Sequence, residues 1–165
     1  MYKRQGISAP ILGAIADTSG RRMPWIYVFS IMLIVGALGT WVGVPDGSNL
    51  TLMLYFFALG YIGTEFALIF TNAQLTTLGN QNEIGKISGS GFGFGYLGGV
   101  FALAIALLFL VEQPNGTTFM LGIEPLFGFL NPENMEGTRF VGPLAAIWFI
   151  VFAIPYFKNM KDDPA

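Results

Sequence analysis

The chain has 165 residues with eight Lys and Arg, ten Asp and Glu, no His and no Cys, for a formal charge of -2. At 53% hydrophobic and 11% charged it falls far below the roughly 25% charged residues of an ordinary soluble domain, so its main solvent is lipid. The same inventory excludes a basic surface for nucleic acid, disulfides, thiol catalysis and His- or Cys-based metal sites; no metal and no cofactor are expected.

A bilayer core about 30 Å thick takes about 20 apolar helical residues. The first apolar run, residues 6–16, is half that length and ends at Asp17 without a signal-peptide cleavage site. It reads as the inner half of a helix that begins upstream, which makes the chain a fragment of a longer protein. Four runs of spanning length follow at 24–44, 50–70, 89–111 and 140–157, and Glu65 is the one charge among them. The expected fold is therefore an all-α, polytopic transmembrane helix bundle over 1–157, with 158–165 beginning a cytoplasmic linker.

Orientation follows from Lys and Arg in the connections. Arg21, Arg22, Lys86, Lys158 and Lys161 lie on one side of the bundle and Arg139 on the other, with Lys3 and Arg4 at the outer start of the short run. The excess places the turn near residue 20, the loop near residue 80 and the C-terminal tail in the cytoplasm. The long outer loop, 112–139, carries an apolar stretch over 119–130 interrupted by Glu124 and Pro125, read as an ordered loop or interfacial segment against the helix ends. Asn49 and Asn115 each begin an outer N-x-T glycosylation pattern.

Three features carry chemistry. Glu65 pays about 2.5 kcal/mol or more for a place inside a span, so it must face protein or water, as a proton-coupling or substrate-binding group or as a structural hydrogen-bonding staple. Asn72 stands at the cytoplasmic end of the same span, as a second polar ligand or a helix-end cap. Gly91, Gly95 and Gly99 recur every fourth residue and make one smooth helix face for close packing or sliding. The G-x-G-x-x-G at residues 93–98 is no dinucleotide fingerprint, because it lies inside a helix with no preceding strand.

The stretch GAIADTSGRR, residues 13–22, sets Gly13, Asp17, Gly20, Arg21 and Arg22 in the pattern G-x-x-x-D-x-x-G-R-R. This resembles the signature loop between the second and third helices of the major facilitator superfamily, where Arg or Lys usually follows the Asp and this chain has Thr18. Further blocks, APILGAIAD at 9–17, Glu65 with IFTNAQL at 69–75, ISGSGFGFGYLGG at 87–99 and IWFIVFAIP at 147–155, look like successive segments of the branch related to fungal vacuolar amino-acid effluxers. The resemblance implies helices 2 to 6 of a twelve-helix secondary transporter. Its partners would be the bilayer, a small-molecule substrate such as an amino acid, and the first helix and C-terminal half of the same protein. It makes the 13–22 residues gating elements rather than substrate ligands. The location would be a cell membrane if bacterial or a vacuolar membrane if fungal. A membrane enzyme is not expected, since no His supports a Ser nucleophile and no paired carboxylate lies within a span. The competing class is a small membrane scaffold or assembly subunit without transport activity.

Overall fold

The computed structural model describes residues 21–75 and 78–162. Among them the long elements are α1 Met23–Gly39, α2 Leu50–Gln74, α3 Gln81–Phe109, α4 Glu136–Arg139 and α5 Val141–Asn159. Phe140 keeps helical geometry between α4 and α5, so the two form one span. Among the described residues four helices are long and apolar enough to cross a membrane, Met23–Val42, Leu50–Gln74, Glu83–Phe109 and Glu136–Asn159. The all-α membrane bundle expected from composition is what forms.

The helix ends depart from the apolar runs for local reasons. The first span tightens into a 3₁₀ turn over Thr40–Val42, with the Thr40 hydroxyl donating to the Ala37 carbonyl at 2.7 Å, before Gly43 becomes extended ahead of Pro45. α2 runs four residues past Phe70. Its polar end stays helical because Thr71 donates back to the Ala67 carbonyl at 2.8 Å and the buried Gln74 accepts a hydrogen bond from Tyr156. α3 starts eight residues before residue 89 because Asn80 and Glu83 form a capping box. Hydropathy reports where the hydrocarbon begins, whereas capping and side-chain bonds decide where the helix does. In the loop after α1, the Ser48 amide and hydroxyl both donate to Asp46 at 2.9 Å and hold its carboxyl below the usual carboxylate range.

α1 and α2 form the tightest pair. A Cβ at Gly36 would land on the Gly60 backbone, and one at Gly63 would stand 2.6 Å from the Leu33 nitrogen. The facing residues of α2, Phe56, Gly60, Gly63, Ala67, Phe70 and Gln74, recur at three and four, the spacing that keeps one face toward a neighbour. Beside this crossing Trp25, Phe29, Phe66 and Phe70 stack, with Phe29 and Phe66 ring centres 5.0 Å apart. Gly36 and Gly39, like Gly60 and Gly63, are three apart in the sequence. That signal identifies the packing face, and the sequence reading passed over it in favour of the α3 glycines.

The two ends of the bundle are tied differently. At one end the chain leaving α5 returns to the start of α1. At the other, the Arg139 guanidinium donates to the Trp41 carbonyl at 2.8 Å and lies 4.6 Å from the centre of the Trp41 ring. Glu112 is buried there and accepts the amides of Gly137 and Thr138, both at 3.0 Å, and the Thr138 hydroxyl at 2.9 Å. These are the unpaired donors of the first turn of α4, and the carboxylate also suits the positive end of the helix dipole. Gly137 is required for it, since a Cβ there would strike the Leu110 carbonyl and come 3.1 Å from the Glu112 carboxyl carbon.

Candidate functional site

Of the signature-loop residues, Gly13, Asp17 and Gly20 lie outside the described residues. Arg21 is exposed, whereas Arg22 is half-buried at the entry of α1. The Arg22 guanidinium donates to the Ala73 carbonyl at the end of α2, at 2.8 Å. The Arg22 and Met23 amides donate to one oxygen of Asp162, at 2.8 and 2.9 Å. Arg22 therefore joins the start of α1 to the end of α2, and Asp162 joins both to the chain leaving α5. The sequence reading gave Asp162 no role. The clue available was the residue before α1: Arg22 stands at the cap position and supplies no side-chain acceptor, so the free amides need one from elsewhere.

This clasp gives a direct prediction. Asp162→Ala removes a carboxylate acceptor from a helix start and should cost about 1 kcal/mol, lowering the melting temperature of detergent-purified protein, while Asp162→Asn should recover most of the loss. Equal melting of all three proteins would count against the clasp.

Glu65 stands nine residues, about 13 Å, from the Gln74 end of α2 and about 22 Å from Leu50. It is half-buried, and its carboxyl makes no hydrogen bond to another described residue. Asn72 is seven residues on, so the two lie on one helix face about 10 Å apart. That face includes Ile62 and Ile69 and differs from the Gly60, Gly63 and Ala67 face packed on α1. The helix thus groups the two predicted polar residues in a line but brings no described charge to meet them.

A groove of about 710 Å³ lies between α1, α2, α3 and α5, walled by Ile26, Leu33, Ala67, Ala106, Trp148 and Phe152. A second space of about 570 Å³ shares Leu33, Thr64, Val141, Ala145 and Phe149 with it and continues to Thr40 and Met53 near the opposite end. Its polar lining is mostly spent. Thr64 and Thr71 donate to the Gly60 and Ala67 carbonyls of their own helix, and Tyr156 donates to Gln74. Ser30, 4% exposed, holds the one buried side-chain oxygen among the described residues without a hydrogen-bond partner. Such walls suit an apolar helix or chain better than a hydrated solute.

Gly91, Gly95 and Gly99 are exposed, and a Cβ at any of them would meet nothing within 4 Å. The expected smooth face exists, but the described residues place no helix on it. Only 6% of the most apolar window of α3 is buried, against 22% for α1.

Four spans joined in alternating direction, with an intramembrane carboxylate and clasped ends, define a multi-pass α-helical membrane protein. Against the curated proteins, the chain is 26% identical over 155 residues to the uncharacterized MFS-type transporter YxiO of Bacillus subtilis (strain 168), an alignment that takes in 93% of this chain and 32% of that protein. The chain thus spans about a third of the length of this relative. No family model matches it, and no solved structure does.

Proposed function

We propose that this chain is part of the N-terminal half of a major facilitator superfamily secondary transporter that moves a small solute by alternating access. The observation that carries the reading is the similarity to an MFS-type transporter along 93% of the chain, on a bundle with the expected spans. The resemblance to the amino-acid effluxers makes amino acids the first substrate class to test. In such transporters the site lies near the midplane between two bundles that rock about it. Glu65 is at a depth suited to such a site and serves as the proton-coupling or substrate-binding group, with Asn72 further along its face.

The clasp of Arg22, Ala73 and Asp162 sits beside the signature loop, and Asp17, Gly20, Arg21 and Arg22 act as gating elements that set the cytoplasmic end. The long apolar groove receives another helix of the longer protein, and the open Gly91, Gly95 and Gly99 face meets its second half. The decisive experiment is to purify the longer protein, reconstitute it in liposomes, and follow labelled amino acids with and without an imposed proton gradient. Gradient-dependent accumulation is expected; its absence for every amino acid would remove this substrate class.

The proposed orientation is checked separately. In the otherwise Cys-free chain, cysteines replacing Gly47 or Asn131 should react with an impermeant thiol reagent added to intact cells, and those replacing Ser19 or Gln81 should not. Labelling at Gln81 would reverse the orientation.

A further inference from the structure

The middle of the loop between α3 and α4 turns its apolar side chains outward. The loop's first acid, Glu112, is 8% exposed and Thr118 is fully buried, both spent on hydrogen bonds within the protein. Its large apolar side chains face outward instead: Phe119 is 62% exposed, Phe127 71% and Phe129 84%, and Met120 and Leu121 are exposed beside them. Between Phe119 and Leu130 the single charge is Glu124. A loop surrounded by water would present the opposite arrangement, and a contiguous apolar patch of this kind marks a contact with another apolar phase.

Backbone geometry fixes where that patch lies. The Phe119 amide donates to the Val111 carbonyl at 3.0 Å and the Met120 amide to the Leu107 carbonyl at 3.2 Å. Leu107 belongs to the last turn of α3, inside the span Glu83–Phe109. After leaving the helix the chain therefore folds over its end and caps a carbonyl of its last turn. The Phe127 ring contacts Phe109, the last residue of α3, with centres 5.8 Å apart, so the patch abuts the end of a spanning helix. Leu126 and Phe127 hold positive φ angles of 48° and 59°, a conformation that non-glycine residues rarely adopt. The amides of Phe119, Met120, Gly122, Phe127 and Phe129 find backbone acceptors, which lowers the cost of placing them at the edge of the hydrocarbon.

We infer that residues 119–129 form an interfacial membrane anchor, a loop whose phenylalanines enter the boundary between headgroups and acyl chains of the outer leaflet. The occupant is phospholipid, because the patch abuts Phe109 in the last turn of a spanning helix, the level at which hydrocarbon gives way to headgroups, and its exposed side chains are apolar apart from Glu124. Amphipathic segments at this depth bind through buried apolar area. The inference does not depend on what the protein transports.

The test is site-directed spin labelling of the otherwise Cys-free chain in phosphatidylcholine–phosphatidylglycerol vesicles. Nitroxides on Phe129→Cys, Phe127→Cys and, as a control, Asn115→Cys at the polar tip of the same loop are read for collision with oxygen and with a water-soluble nickel chelate. The ratio of oxygen to nickel collisions should be severalfold higher at 129 and 127 than at 115. Ratios at 129 and 127 equal to that at 115 would place the loop in water and overturn the anchor. Low collision rates with both reagents at these positions would mean that protein covers the patch, and would overturn it equally. Two labelled positions guard against misfolding of one variant, and neither reading requires transport activity.

Discussion

Gly36→Leu is expected to prevent assembly of the α1–α2 pair. A Cβ at Gly36 would fall on the Gly60 backbone, and backbone cannot move aside as a flexible side chain can. The helices would have to separate, losing the contacts of Phe29, Ala67 and Phe70 at the centre of the apolar cluster. Overpacking a close crossing costs about 3 kcal/mol, and helices in lipid associate through such contact rather than by escaping water. The measurement is the yield of monodisperse protein in detergent, with thermal unfolding of whatever is recovered. Gly95→Leu is the matched control: nothing lies within 4 Å of its Cβ, so the described bundle should form with normal yield and melting. If the Gly91, Gly95 and Gly99 face meets the other half of the transporter, as proposed, this variant should instead lose transport in the longer protein. Normal folding of Gly36→Leu would count against a backbone-to-backbone crossing at Gly36 and Gly60.

Glu65→Gln should abolish gradient-driven transport by the longer protein while leaving expression normal. The glutamine keeps the shape and the hydrogen-bonding carbonyl of Glu65 but cannot titrate, so a coupling role fails with it and a structural role survives. The Glu65 carboxyl has no hydrogen-bond partner among the described residues. Replacing that carboxyl by an amide should therefore leave this bundle intact. Proteoliposomes with and without an imposed proton gradient separate the cases. Undiminished gradient-driven flux would end the coupling role.

Much of the molecule is legible without coordinates. Composition alone selects lipid as the solvent, and four apolar runs of spanning length set apart by Arg22, Lys86, Arg139 and Lys158 determine the number of described spans. The physical reason is that burial in hydrocarbon is set by local sequence: a segment either can or cannot leave water, whatever its neighbours do. Glu65 was singled out on the same ground. Contacts between segments distant in the chain were decided only by the tertiary structure. Gly36 and Gly60 are conspicuous only once two helices cross, and the Gly91, Gly95 and Gly99 pattern, stronger by eye, meets no described helix. Asp162 gains its role because the end of α5 returns to the start of α1, 139 and 140 residues away in sequence. Glu112 acquires a buried place from the turn that brings Gly137 and Thr138 over it. In each case a free helix end or a backbone surface needed a complement, and sequence states the need but not which distant residue meets it.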